Sequence, residues 1–211
     1  AYDALGNLTR QADARGQRIC LYYDPLNRLL GKHYRTDDAC PTSPTYNVSY
    51  GYDSGINGIG QRTSMTDASG STAWTYDLRG RAVEEIKSIT GVGSFKTVTT
   101  YNSADLPDSI QYPDNNANAV SAARYFLYHP QLSLKEFKYT SSLSYVKDIQ
   151  YDAAGRITSR TLGNNLVLTN NYKDWDDQGG RLDTLTALRG QVPVQNLEYT
   201  YRSSILKRQP G

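Results

Sequence analysis

No segment of the chain approaches the run of roughly twenty apolar residues that a membrane-crossing helix needs, and none carries helical periodicity over a useful length. The first absence excludes insertion of a helix into a bilayer, the second a helical bundle. Histidine is confined to His33 and His129, remote from each other and without cysteine or carboxylate neighbours at zinc-ligand spacing, so both read as surface or turn residues. The two cysteines, Cys20 and Cys40, are too few for a disulfide framework. Whether they pair with each other stays open, and a pair would suit an oxidising compartment. The formal net charge is only +2, with acids and bases interspersed, so no basic track exists for a nucleic-acid backbone. With 3 Phe, 2 Trp and 1 Met, the chain also lacks the material of a deep dry core.

What it has instead is tyrosine, 18 residues of it. A tyrosine offers a large apolar ring with a wet end, which suits a thin sheet with one face on solvent. Many of these tyrosines open a recurring hexapeptide, Tyr-Asp-x-x-Gly-Arg. It is seen as Tyr2-Asp3-Ala4-Leu5-Gly6-Asn7, Tyr23-Asp24-Pro25-Leu26-Asn27-Arg28, Tyr76-Asp77-Leu78-Arg79-Gly80-Arg81, Tyr101-Asn102-Ser103-Ala104-Asp105-Leu106 and Tyr151-Asp152-Ala153-Ala154-Gly155-Arg156. Recurrence of this kind marks an array of one small unit.

Read as a turn between two strands, each position acquires a reason. An aspartate at the first turn position accepts a backbone amide two residues on. The fourth position holds Gly6, Asn27, Gly80, Asp105 and Gly155, residue types that tolerate a left-handed backbone. The pattern predicts a type I turn closing on a left-handed residue, a common hairpin connection. Pro25, with its fixed φ, stands where that turn accepts it. Ahead of the turns, Ile19/Leu21/Tyr23, Val48/Tyr50/Tyr52, Thr72/Trp74/Tyr76, Ile149/Tyr151 and Tyr199/Tyr201 alternate with polar or small residues, the period of a strand with one buried face. Behind them, second turns are expected at Asp13-Ala14-Arg15-Gly16, Asp67-Ala68-Ser69-Gly70, Ile89-Thr90-Gly91, Asp114-Asn115-Asn116 and Gly163-Asn164-Asn165.

Two units carry longer first turns, from Tyr52-Asp53 to Arg62 and from Tyr172 to Arg181, and a degenerate unit starts at Tyr128-His129-Pro130-Gln131-Leu132. The expected architecture is all-β, tandem antiparallel hairpins without significant helix, in one array of about eight units over 1–211 starting near 2, 23, 52, 76, 101, 128, 151 and 172. One hairpin is marginal in water, so stability must come from neighbours. The chain starts part-way through a unit and reads as a fragment of a larger protein.

These motifs resemble the YD-repeat, or RHS-repeat, family, which includes bacterial RHS polymorphic toxins, the C components of insecticidal toxin complexes, wall-associated proteins and animal teneurins. The resemblance spans Tyr2 to Tyr201. It implies hairpins joined edge to edge into a long β-strip that spirals around a hollow, a wall that in the toxins encloses a C-terminal toxic segment. It also implies a secreted or cell-surface setting. The C-terminal core segment of the toxins, with its Asp-Pro and Gly-rich run, is lacking here, so enclosure comes to this chain by analogy with a parent protein.

Chemistry is sparse. No Gly-x-Ser-x-Gly elbow is present, and Gly91-Val92-Gly93-Ser94-Phe95-Lys96-Thr97 lacks the Gly-Lys pair of a phosphate loop. The acidic turn with Asp174, Asp176 and Asp177 is the best cation candidate, yet it lacks the glutamate that closes a calcium loop, and a solvated turn is the better reading. Repeated Asp3, Asp24, Asp77 and Asp152 already have a task in their turns, and Arg28, Arg62, Arg81, Arg156 and Arg181 are expected to pair across strands or with a neighbouring unit's aspartate. Tyr22, Tyr50, Trp74 and Tyr199 either form an exposed ladder for sugar rings or, by the favoured reading, part of the repeat's own core. The expectation is a non-catalytic structural segment without a cofactor, its partners being neighbouring repeats and an enclosed cargo polypeptide. An adhesion or glycan-binding module is the alternative, and a filament joined through edge strands comes third.

Overall fold

The computed structural model describes residues 1–37, 39–114, 119–140 and 142–201. Asn115 and Asn116 of one expected turn, and the side chain of Asp177, lie outside the described residues. In chain order the strands are β1 (Arg10–Ala12), β2 (Arg18–Tyr23), β3 (Leu29–Arg35), β4 (Val48–Tyr52), β5 (Arg62–Asp67), β6 (Gly70–Tyr76), β7 (Ala82–Ile89) and β8 (Gly93–Tyr101). They continue as β9 (Pro107–Gln111), β10 (Arg124–Tyr128), β11 (Leu134–Lys138), β12 (Ser144–Tyr151), β13 (Ile157–Leu162), β14 (Leu166–Tyr172), β15 (Leu182–Arg189) and β16 (Val192–Glu198). Within each compact unit the strand order is the chain order. No crossover is needed, because every unit is a local hairpin.

The chain divides into two compact units. One takes Ala1–Tyr101 and Ile110–Ala122, the other Asn102–Ser109 and the described residues from Ala123 onward. In the first, β1 to β8 pair antiparallel with their chain neighbours, so the β2–β3, β4–β5 and β6–β7 connections share one rim and the connections between those hairpins share the other. In the second, β10 to β16 repeat that arrangement.

The register slips at the motif tyrosine in six hairpins, between Tyr22 and Tyr23, Gly51 and Tyr52, Thr75 and Tyr76, Leu127 and Tyr128, Gln150 and Tyr151, and Asn171 and Tyr172. Where a turn closes on one left-handed residue, that slip is the bulge such a turn produces. The left-handed residues are Gly6, Asn27, Gly80, Asp105 and Gly155, at φ from 61° to 85°, and in the degenerate unit Leu132 takes the same conformation at 69°. Geometry has outlasted sequence there.

Burial is thin. Among the described residues the buried apolar side chains are Cys20, Val48, Ile149 and Ala187, joined by the polar Thr63, Thr72 and Ser109. Most motif tyrosines are half-buried. The long turn before β15 contains the one short helix among the described residues, α1 (Trp175–Gln178), a single turn closed by left-handed Gly179 and Gly180.

Candidate functional site

Each short turn is built around its carboxylate. Oδ1 of Asp77 accepts the amides of Arg79 at 2.9 Å and Arg81 at 3.0 Å, and Oδ2 accepts Nε of Arg81 at 2.7 Å. Asp24 repeats this with Leu26 and Arg28, and Asp152 with Ala154 and Arg156. Asp3 does so with Leu5 and Asn7, whose amide nitrogen stands in for the guanidinium. Asn102 performs the amide part with Ala104 and Leu106. Asp13 binds Arg15 and Gln17 in the same way in a turn on the opposite rim.

These bonds favour the ionised carboxylate. The Arg81 side chain holds Asp77 below the usual aspartate range, the Arg156 amide does the same for Asp152, and the Asn7 side chain for Asp3. For Asp24, desolvation pushes upward but is outweighed by the amide and guanidinium of Arg28. Carboxylates whose oxygens are spent in this way are poor general acids or bases at neutral pH.

The tyrosine and arginine join one hairpin to the next. The hydroxyl of Tyr52 donates to the carbonyl of Leu29 at 2.9 Å, just past Arg28 of the preceding unit. Tyr23 donates to Leu8 at 3.0 Å, Tyr101 to Ala82 at 2.9 Å, Tyr128 to Pro107 at 2.8 Å, Tyr151 to Leu134 at 2.9 Å, Tyr172 to Ile157 at 2.8 Å and Tyr201 to Leu182 at 2.8 Å. Tyr76 reaches Arg62 itself at 2.6 Å. Tyr2, in the first unit, is 72% exposed.

The preceding arginine lies over the same ring. Arg28 sits 4.5 Å from the Tyr52 ring centre, Arg81 4.6 Å from Tyr101, Arg156 4.2 Å from Tyr172 and Arg181 4.3 Å from Tyr201. Desolvation at these joints raises the phenol pKa of Tyr52 and of Tyr128.

The long turns change the pattern. Asp53 is itself left-handed, at φ 63°, and both its oxygens receive the guanidinium of Arg28, at 2.9 and 2.8 Å, while Oδ1 also accepts the Gly60 amide at 2.7 Å. Arg62 does not pair with Asp53; it lies 4.7 Å from the Trp74 ring and 5.6 Å from Tyr50. The indole of Trp74 donates to Glu85 at 2.8 Å. Tyr22 donates to the Pro41 carbonyl. Of the four residues weighed as a sugar ladder, Tyr50 and Trp74 are engaged within the sheet and Tyr22 with the segment between β3 and β4, and Tyr199 donates its amide to the Asp183 carbonyl.

At the acidic turn, the carbonyl of Asp174 accepts the amides of Gln178 at 3.1 Å and Gly180 at 3.2 Å. Among the described residues, which leave out the side chain of Asp177, no cluster of three or more metal-ligating side chains exists. His129 takes the aspartate's place in its turn, and its Nε2 donates to the Ile149 carbonyl at 2.7 Å. Cys20 and Cys40 are bonded, with Cα atoms 5.7 Å apart. Sequence reasoning missed the tyrosine hydroxyl joints, because their acceptors are backbone carbonyls without a residue signature.

Residues 2–39 match the family model of the RHS repeat. Over those residues the chain is similar to the RHS repeat. Its fold is that of part of the TcdB2-TccC3 crystal structure, with a TM-score of 0.77 at 18% identity over 95% of this chain and 11% of that one. A structure of the Photorhabdus luminescens Tc holotoxin pore aligns equally well, with a TM-score of 0.78 at 16% identity over 95% of this chain and 10% of that one. At such identities the likeness shows the fold alone, and the chain spans about a tenth of those proteins. No curated protein matches it in sequence.

Proposed function

We propose that the chain is a length of non-catalytic wall, one continuous array of about eight hairpin units, whose task in a secreted or cell-surface parent protein is to enclose a polypeptide cargo. The observation that carries this reading is the consumption of the motif by the fold. Aspartate closes its own turn, arginine binds that aspartate and covers the next tyrosine, and the tyrosine hydroxyl reaches back to the preceding hairpin. The recurring residues therefore act on each other, and neighbouring repeats are the first partners. The RHS-repeat match and the fold shared with Tc toxin structures support the same assignment.

Limited proteolysis of the parent polypeptide tests enclosure. The cargo segment is expected to resist protease while the wall is intact and to be digested once the wall is unfolded. Digestion at the same rate as the isolated segment would overturn the reading. Binding above background on a glycan array would favour adhesion, and concentration-dependent growth in light scattering would favour a filament.

A further inference from the structure

Between β3 and β4 the chain leaves the sheet of the first compact unit and returns across one of its faces. Cys20 pairs in register with His33, and Tyr22 with Gly31, so the side chains of Cys20, Tyr22 and His33 share the face on which Gly31 leaves a gap. Cys40, Pro41, Thr45 and Tyr46 of the segment at 39–47 contact residues of that face. The Tyr46 ring fills the gap, since a Cβ on Gly31 would stand 2.3 Å from its Cγ. The rings of Tyr22 and Tyr46 are 5.5 Å apart, and the Tyr22 hydroxyl donates to the Pro41 carbonyl at 2.8 Å. Nδ1 of His33 donates to the Thr45 carbonyl at 2.7 Å, and the Tyr34 amide to Oδ1 of Asn47 at 2.7 Å.

The covalent member of this strap is the Cys20–Cys40 disulfide, and its two ends differ. Cys20 is 2% exposed, within β2, whereas Cys40 is exposed on the strap. Thiol exchange needs a thiolate to reach one sulfur along the line of the S–S bond, and access decides which sulfur is attacked. We infer that Cys40 is a thiol-exchange site for small thiols and dithiols, and that reduction there frees the strap from the sheet without breaking the strand ladder.

In the first step a thiolate RS⁻ bonds to Sγ of Cys40, the bond to Cys20 breaks, and Cys20 leaves as a thiolate opposite His33. A second thiolate attacks the mixed disulfide and releases Cys40 as a thiolate and RSSR. Protons from solvent restore the two thiols, and the two electrons come from the two external thiols. The remaining ties of the strap are hydrogen bonds and ring contacts, which the conformational entropy of its residues opposes. Release uncovers the gap at Gly31, which the Tyr46 ring fills. This device stands independently of what the wall encloses.

The test uses the full chain with glutathione as the probe, followed by maleimide quenching and peptide mass spectrometry. The glutathione adduct is expected on Cys40, with maleimide on Cys20, at roughly tenfold or more over the reverse. Excess dithiothreitol is expected to raise proteolysis within 39–47 by roughly tenfold or more, with the far-ultraviolet β signal unchanged. An adduct on Cys20, an equal split, reduction only in denaturant, or a reduced strap that still resists protease would each overturn the inference. Gly31→Ala, which displaces Tyr46 but keeps both cysteines, is expected to speed exchange at Cys40, and an unchanged rate would sever exchange from strap packing. Should that variant fail to fold, Tyr22→Phe gives the same reading through loss of the bond to Pro41.

Discussion

The guanidinium of Arg28 lies 4.5 Å from the centre of the Tyr52 ring and binds both carboxylate oxygens of Asp53, the next residue along. Arg28 also binds Asp24 in its own turn. One side chain therefore closes one hairpin and holds the following one. Lysine cannot reproduce this, because a point charge has neither the fork nor the flat face of a guanidinium. Arg28→Lys should lower the unfolding midpoint more than Arg15→Lys, in a turn where only the Arg15 backbone amide is engaged. Parallel urea titrations compare them, and equal midpoints would remove Arg28 from the joint.

The tyrosine hydroxyls are a second independent test. Tyr52→Phe keeps the ring under Arg28 and removes only the bond to the Leu29 carbonyl. The expected loss is about 1 kcal/mol, whereas Tyr52→Ala, which removes the ring as well, should cost about 3 kcal/mol or more. Denaturant unfolding followed by circular dichroism separates the two, and a neutral Tyr52→Phe would mean that water satisfies Leu29 equally well.

Turn geometry makes a third prediction. Gly80 holds φ 76°, so Gly80→Ala meets left-handed strain of about 1–2 kcal/mol while its new methyl touches only the flexible end of Gln61. Gly58→Ala is expected to be worse despite an ordinary φ, because its Cβ would stand 1.9 Å from the Ser54 carbonyl oxygen. Thermal melts of the two variants give the order, and a milder Gly58→Ala would show that the long turn relaxes around the methyl.

Acid should unfold the array through its turns. The carboxyls of Asp3, Asp24, Asp53, Asp77 and Asp152 all lie below the ordinary 3.8. The unfolded chain therefore binds more protons in that window, and stability rises with pH across it. Their contribution is complete above pH 3.8 and is lost as pH falls through the lower folded values. Urea midpoints should be level in this respect from neutrality to about pH 5 and fall below about pH 4. Asp77→Asn should flatten that fall, and an unchanged acid limb would exclude Asp77 from it.

Much of this molecule is legible in its residues. The hairpin period, the left-handed fourth position and the aspartate that closes each turn follow from backbone sterics and from amides within four residues. Local chemistry of that kind survives even where letters are lost, as Leu132 and His129 show by keeping the turn conformation and its backbone bonds. The acidic turn was less legible, because Gly179 and Gly180 wind part of it into a single helical turn.

The sequence by itself determined that this is a chain of tyrosine-rich hairpins, since turn type and strand alternation depend on neighbours along the backbone. Only the tertiary structure decided what joins them. The carbonyls that receive the tyrosine hydroxyls lie 14 to 23 residues away, and the strap meets the sheet through the gap at Gly31. Such contacts depend on register, bulge and packing across strands, and a backbone carbonyl or an absent side chain leaves no letter to read.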